Sequence, residues 1–157
     1  MQKHTPFILL SAICIVLSTP SLADKSHQKH GKYGMPGNPN KVTRTIKLDA
    51  TEIAFNTDTI QVRKGETIRF VLANKGVQNH EFTIGDAASQ NEHRKMMETM
   101  TMEDMQKMGH KHDSSVDTKP GQTKELVWTF THTGTFDFAC NYPGHAAVGM
   151  QGKIVVQ

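Results

Sequence analysis

Short apolar segments alternate with turn residues from residue 42 to the end of the chain. In 67–72, Thr-Ile-Arg-Phe-Val-Leu, polar and apolar side chains alternate with a period of two and β-branched residues are frequent, which is typical of a half-buried strand. Comparable segments lie at 42–48, 53–55, 59–62, 81–84, 123–130, 135–139 and 153–156. Seven or eight strands at this spacing predict an all-β antiparallel sandwich, whose strand order the pattern leaves open.

A polar insertion at 86–120 interrupts this spacing. It contains six of the nine Met residues of the chain and three His residues: Met96, Met97, Met100, Met102, Met105, Met108, His93, His110 and His112. A helix over 91–107, at 100° per residue, spreads these Met side chains over about two-thirds of its circumference, which is wider than one core-facing stripe. Part of the cluster is therefore expected to be exposed as a secondary binding surface for Cu(I), which prefers thioether and imidazole ligands. Plain packing of a Met-lined helix, or disorder, is the alternative.

The first 41 residues lack the strand pattern. Lys3 and His4 precede an apolar stretch at 7–17 and a small-residue cleavage site at 20–23, so 1–23 is predicted to be a signal peptide that directs the chain to the periplasm. The apolar stretch is too short for a membrane span, and none is expected in the mature protein. Residues 24–41 are rich in His, Gly and Pro and are predicted to form a flexible tail, in which His27 and His30 are further candidate copper ligands.

Cleavage after Ala23 would leave 134 of the 157 residues, which suits a single domain at 42–157. With Lys3 removed, 17 Lys plus Arg face 15 Asp plus Glu, and this small, evenly spread charge gives no reason to expect nucleic acid binding. Cys14 leaves with the signal, so Cys140 is the one cysteine of the mature chain. A lone thiol in an export compartment indicates intermolecular pairing, an inert buried thiol or metal ligation.

The segment from Cys140 to Met150 favours metal ligation. Cys140, His145 and Met150 are separated by two spacers of four residues, and the first spacer contains a Pro-Gly turn. A predicted strand leads into Cys140 and another follows Met150, so the loop between them is able to fold back and bring thiol, imidazole and thioether together.

A fourth donor is expected from His80 or His132. His132 precedes Cys140 by eight residues across a predicted strand, which places it about 25 Å away if that strand is extended. His80 stands at the entry of the strand 81–84, where a neighbouring strand would bring it beside Cys140. We therefore expect His80 to complete the set.

Two imidazoles, one thiolate and a weak axial thioether are the donor set of a trigonal copper site. Zinc is disfavoured because its structural sites do not use thioether. A Cys-His nucleophile is the enzymatic alternative, but it needs an orienting third group that the sequence does not visibly supply. The remaining alternative is an inert thiol near chance loop residues.

These motifs resemble the cupredoxin family, and among its members the small bacterial periplasmic copper-resistance cupredoxins. The resemblance covers 42–157 and rests on His80-Glu81-Phe82, on the Met- and His-rich insertion, on Pro-Gly-x-Thr-x-Glu-Leu-Val-Trp at 120–128 and on Phe-Ala-Cys-x-x-Pro-Gly-His-x-x-x-Gly-Met-x-Gly at 138–152. It implies a Greek-key β-sandwich with one type 1 copper at one pole, bound by His80, Cys140, His145 and Met150. Glu81 departs from the Asn or Ser that many members have after the first His, so the hydrogen bonds to the sulfur need a separate account.

Two functions follow from this resemblance. A buried copper with fixed donors, shielded by apolar neighbours such as Phe82, Phe138 and Val148, is suited to passing single electrons to a redox partner, which makes the protein a carrier and not an enzyme. The insertion and the tail favour a role in copper tolerance, in which the protein binds, oxidises or relays periplasmic copper. A multicopper oxidase or nitrite reductase would need more copper centres than one short domain provides.

Overall fold

The computed structural model describes residues 32–101, 103–104 and 112–157. Nine strands and one helix of these residues, numbered in chain order, build the fold. They are β1 (Met35–Pro36), β2 (Arg44–Ala50), β3 (Thr59–Val62), β4 (Thr67–Asn74), β5 (His80–Gly85), α1 (Ala87–Thr99), β6 (Ser115–Thr118), β7 (Thr123–Thr129), β8 (Gly134–Ala139) and β9 (Gln151–Val156).

The strands form two sheets that pack face to face. One sheet has the order β1-β7-β4-β2 and the other the order β3-β9-β8-β5-β6. Most neighbours are antiparallel, but β2 pairs with β4 and β3 pairs with β9 in parallel. The predicted all-β sandwich is confirmed, and it is mixed where the sequence pattern predicted a purely antiparallel one.

The core lies between the two sheets and is rich in aromatic rings. In β4 the inward positions Ile68, Phe70 and Leu72 are fully buried, in register with the alternation seen in the sequence. Phe70 and Phe130 meet edge to face with centroids 6.3 Å apart, and Phe82 lies 5.0 Å from Phe70. Such pairs add directional contacts to the burial of apolar area.

Two segments differ from the predicted strands. Residues 53–55 form no strand: Ile53 is 41% exposed, and Phe55 makes only an isolated bridge to Ala50. Conversely, β6 lies inside the predicted insertion and pairs with β5 at the sheet edge. Its sequence, Ser-Val-Asp-Thr, contains one apolar residue and therefore lacks a hydrophobic alternation.

The end of the predicted flexible tail is packed in the part of the chain that the structure describes. Tyr33 is buried, and its ring stacks on Trp128 with a centroid distance of 6.0 Å. The Trp128 indole N–H donates to the Tyr33 carbonyl over 3.4 Å, and β1 pairs with β7. An aromatic residue among Gly and Pro thus anchors the chain, whereas 24–31 with His27 and His30 lies outside the described residues.

Helix α1 covers the outer face of the second sheet over β5 and β8. It begins at Ala87, four residues before the predicted start, because Asp86 and Ser89 form a capping box: each side chain bonds the other's backbone N–H, over 2.8 and 2.9 Å. A Cβ on Gly85 would lie 2.4 Å from the Ser89 hydroxyl, so this tight junction requires glycine. The cover explains why every residue of β5 is buried.

No helix in the described ranges combines the length and the apolar character that crossing a bilayer requires.

Candidate metal centre

Three potential metal donors converge at one end of the sandwich. The Cys140 Sγ lies 3.3 Å from His145 Nδ1 and 3.9 Å from His80 Nδ1. One donor atom from each of the three residues lies within 4.8 Å of the others, and all three residues are buried. Among the described residues this is the only such group of His, Cys, Asp and Glu side chains.

The fold brings these residues together from two neighbouring strands and one loop. His80 is the first residue of β5, and Cys140 directly follows β8, the antiparallel neighbour of β5. His145 begins a short 3₁₀ turn, Ala146–Val148, within the loop that leads to β9. Each donor is therefore fixed by a strand end or by a structured turn.

Backbone hydrogen bonds close the loop that carries His145 and Met150. The Cys140 N–H donates to the Met150 carbonyl and the Met150 N–H donates to the His145 carbonyl, each over 3.0 Å. Gly149 has a φ of 106°, a left-handed conformation that turns the chain back towards the site. Met150 follows this turn with a fully buried side chain.

His132 lies elsewhere. It is exposed in the turn between β7 and β8, at the end of β8 opposite to Cys140, and its Nδ1 contacts the Thr131 hydroxyl over 2.8 Å. The structure thus brings His80, and not His132, beside the thiol. The assignment of His80, Cys140, His145 and Met150 as ligands stays a prediction about the metal-loaded protein.

Burial sets the protonation of the donors. Burial lowers the pKa of His80, and His145 lowers it further, while burial also lowers the pKa of His145. Both rings are therefore neutral at pH 7, which is the form that binds metal. Burial, with the Glu81 charge, raises the pKa of the Cys140 thiol, so the metal-free thiol keeps its proton and metal binding must release it.

Glu81 connects the two strands behind the donors. Its backbone N–H points at the Cys140 sulfur over 3.5 Å, and one carboxylate oxygen accepts from both the backbone and the side-chain amide of Asn141 over 2.8 Å. Burial acts to raise the pKa of Glu81, but the hydrogen bond and charge of His93 and the Asn141 amides outweigh it, so the net shift is downward and the carboxyl is ionised. The hydrogen bond to the Cys140 sulfur at this position therefore comes from the backbone N–H of Glu81, while the Glu81 carboxylate bonds Asn141.

The donor set fits copper. A metal ion at the bond lengths that zinc makes, about 2.3 Å to sulfur and about 2.05 Å to nitrogen, would hold the sulfur about 3.8 Å from each nitrogen if it lay in one plane with the three donors. The observed separations of 3.3 and 3.9 Å lie close to that value. Two imidazoles and a thiolate, with a buried thioether next to them in the loop, are the donors of blue-copper electron-transfer sites.

A sequence model described as copper binding proteins, plastocyanin/azurin family, matches residues 42–157. The chain belongs to this family. Three relatives named copper-resistant cuproprotein CopI align over nearly the whole chain. The protein of Vibrio cholerae serotype O1 is 42% identical and covers 98% of this chain and 99% of its own length. The protein of Rubrivivax gelatinosus is 38% identical and covers 94% of this chain and 94% of its own length. That of Pseudomonas aeruginosa is also 38% identical and covers 97% of this chain and 98% of its own length.

Solved cupredoxin structures share the fold. Auracyanin B superposes with a TM-score of 0.63 at 14% identity, covering 79% of this chain and 94% of its own. Auracyanin A, described as a blue copper protein from Chloroflexus aurantiacus, has a TM-score of 0.60 at 23% identity and covers 72% of this chain and 98% of its own. The chain is thus a cupredoxin-fold copper-binding protein, as the resemblance implied.

The described part of the Met- and His-rich insertion packs against the β-sandwich. Met97 is buried in the core, Met100 packs against it and Met96 is half-buried. His93 contacts Glu81 over 3.1 Å, and its ring lies 5.1 Å from that of His112. The other members, Met102, Met105, Met108 and His110, lie outside the described residues. The described Met residues of the insertion are buried or half-buried, so packing describes them better than the predicted exposure does.

Three further polar residues support the centre and were not found from the sequence. Gln78 Oε1 lies 3.1 Å from His145 Nε2, and Gln90 of α1 accepts from the Asn141 amide over 2.9 Å. Asp117 of β6 accepts from the Tyr142 hydroxyl over 3.4 Å. The sequence offered one signal, the closeness to predicted ligands: Asn141 directly follows Cys140, and Gln78 lies two residues before His80. Val148, in contrast, was expected to shield the copper but is 65% exposed.

Proposed function

We propose that this cupredoxin is an exported, redox-active copper protein that acts in copper tolerance. The observation that carries the proposal is the buried thiol of Cys140 held between the Nδ1 atoms of His80 and His145. These three residues and Met150 bind one type 1 copper in the proposal. In that site the residues would hold a copper ion that supplies one-electron chemistry between Cu(I) and Cu(II).

The protein's own residues keep the site ready for that exchange. Both rings are held neutral by burial, and backbone bonds fix Cys140, His145 and Met150 in one closed loop. Phe82 and Phe138, both fully buried with centroids 5.3 Å apart, exclude water behind the donors. A rigid, dry donor set needs little rearrangement between oxidation states, which supports electron transfer and not turnover of an organic substrate.

The names of the relatives support copper tolerance as the setting. Proteins called copper-resistant cuproprotein align with this chain over nearly its whole length, and the same setting gives the Met- and His-rich insertion a use. In the proposal, insertion residues offer a second, weaker place for Cu(I), which is oxidised or handed on, and the electron leaves to a redox partner protein. Residues 1–23, outside the described residues, act as the signal peptide.

A dedicated electron carrier is the second candidate. Val77 is 77% exposed and Val148 is 65% exposed, and they lie next to Gln78 and to the His145 turn. Two exposed apolar side chains beside a donor residue favour transient contact with a partner protein. In that case the insertion serves packing alone.

The two candidates separate on Cu(I) handling. The mature protein is loaded with one Cu(II), and Cu(I) is added without oxygen. Copper handling predicts that one equivalent of Cu(I) gives its electron to the bound Cu(II), is itself released as Cu(II), and so bleaches the visible band. It also predicts that additional Cu(I) is retained. A variant with Leu at Met96, Met102, Met105 and Met108 tests the insertion, with Met97 kept because it is part of the core. Loss of the extra Cu(I) with an unchanged visible band supports copper tolerance. A wild-type protein that retains one copper only, and confers no tolerance on a sensitive bacterial host, would support the carrier.

A further inference from the structure

The carboxylate of Glu81 is fully enclosed and uses both of its oxygens. Oε1 accepts from the Asn141 backbone N–H and side-chain amide, and Oε2 contacts His93 Nε2 over 3.1 Å. The side chain of Glu81 is 3% exposed and that of His93 10%. Since burying a charge is costly unless it is paired and hydrogen-bonded, removal of either partner is expected to disturb the whole arrangement.

One of these partners, His93, comes from helix α1, which lies outside the sandwich. Gln90 and His93 are three residues apart and so lie on the same face of the helix. Gln90 accepts from the Asn141 amide over 2.9 Å and donates to the Thr83 carbonyl over 2.8 Å. The helix therefore contacts β5, and the residue that follows Cys140, through two adjacent polar side chains.

The position of the helix is in turn fixed to β5. Asp86 follows the last residue of β5 and caps α1, and Gly85 allows the close approach of Ser89. The loop carrying Cys140 is thus held from two sides: by Glu81, which neighbours His80 in β5, and by α1.

We propose that Glu81 and His93 are positioning residues of the copper centre, through which the insertion helix holds the loop that carries Cys140. This inference rests on the copper site proposed above and adds to it a task for the insertion that needs no metal bound there. His93 keeps the Glu81 carboxylate turned towards Asn141. The backbone N–H of Glu81 stays directed at the Cys140 sulfur, and hydrogen bonds to a ligating sulfur tune the reduction potential.

The test compares His93→Leu with His93→Gln, whose amide is able to donate to Glu81 in place of the ring. His132→Leu is the matched control, because His132 is exposed at the far end of β8. Two readouts are used: hydrogen exchange of the Asn141 backbone amide in the metal-free protein, and the visible spectrum and reduction potential after loading with Cu(II).

For His93→Leu we expect exchange at Asn141 to be at least about tenfold faster, about the effect of losing one hydrogen bond to a charged group. The potential and the band position should shift as well. Most of both effects should be reversed in His93→Gln, and neither should be seen in His132→Leu. A His93→Leu protein that matches the His132→Leu control, or a His93→Gln protein as perturbed as His93→Leu, would overturn the proposal.

Glu81→Gln provides a second variant should His93→Leu fail to fold. Its side-chain oxygen is able to accept from Asn141 as before, so protection at Asn141 is expected to persist while the potential rises, because a negative charge near the thiolate is lost. Loss of protection at Asn141 in this variant, which keeps the acceptor, would contradict the positioning role assigned to Glu81. If the wild-type chain forms no coloured copper site at all, the proposed function fails, whereas exchange at Asn141 in the metal-free protein still tests the link between helix and loop.

Discussion

The side-chain oxygen of Gln78 lies 3.1 Å from His145 Nε2, on the side of the ring away from Cys140. The backbone carbonyl of Gln78 is itself held by the buried Asn74 amide over 2.7 Å. If Nε2 carries the hydrogen, Nδ1 is left with a free lone pair directed at the site, which is how a second residue fixes a ligating imidazole.

Replacing Gln78 by Leu should weaken copper retention. The acceptor for His145 Nε2–H is lost, and such partners are worth about 10- to 100-fold in metal affinity. Gln78 is exposed and water is able to replace it in part, so we expect a value near tenfold, measured by competition with a chelator of known affinity. Gln61→Leu, on the exposed face of the edge strand β3, is the control. Equal copper affinity in both variants would show that Gln78 does not support His145.

Replacing Met150 by Leu should leave copper bound but change its colour and raise its reduction potential. The strong donors remain, while the weak axial thioether that helps to stabilise Cu(II) is gone. The check is a visible spectrum with a redox titration, and Met35→Leu in β1, where Met35 is 51% exposed, is the control. Complete loss of copper would mean that Met150 is more than an axial ligand.

The stability that Asp117 contributes to the metal-free protein should fall with rising pH. Burial, and then the nearby Glu81 charge, raises its pKa to about 7, against about 3.9 in an unfolded chain. The native state thus holds a proton that the unfolded state has released, so this contribution is present below about pH 4 and is lost as pH rises to about 7. The full loss amounts to at most about 4 kcal/mol.

Asp117→Asn should remove that contribution to the pH dependence while keeping an acceptor for Tyr142. Urea unfolding of the metal-free protein at pH 4.5 and 8 measures it, with the exposed Asp113→Asn as control. The variant should gain stability relative to wild type at the higher pH. A constant difference between the two proteins at both pH values would contradict a raised Asp117 pKa.

Tyr33→Ala should lower the free energy of unfolding by about 3 kcal/mol. It removes a buried ring that stacks on Trp128, and large-to-small changes at buried aromatic residues cost about that much. Tyr33→Phe keeps the ring and should cost less than about 1.5 kcal/mol. Equal, small effects of the two substitutions would mean that residues 32–36 contribute little to the fold.

The sandwich was predictable because its central strands carry regular alternation, as at Ile68, Phe70 and Leu72. The parallel pairing of β2 with β4 was not, since alternation determines which face is buried and not which strand is the neighbour. Strand β6 was missed because an edge strand with one apolar residue has no pattern, and Tyr33 because a single anchor among Gly and Pro does not change the local composition.

The donors were predictable for a different reason. Cys140 and His145 lie in one short loop with Met150, and the structure brings these two together with His80, which stands at a strand entry. That all four residues bind metal stays a prediction. The fold brings together Glu81, which comes from β5, and Gln90 and His93, which come from α1. The spacing of the Met residues did not show which face of this helix packs on the sheet. The contacts of Glu81 and Gln90 with Asn141, and that of His93 with Glu81, required the structure.

The most direct test of the copper site is titration of the mature chain, and of Cys140→Ser, with Cu(II), followed by visible and electron paramagnetic resonance spectra and a count of copper per chain. The account predicts one copper per wild-type chain with an intense thiolate-to-copper band, and no such band in Cys140→Ser. A wild-type chain that binds no coloured copper, or a band that survives in Cys140→Ser, would contradict it.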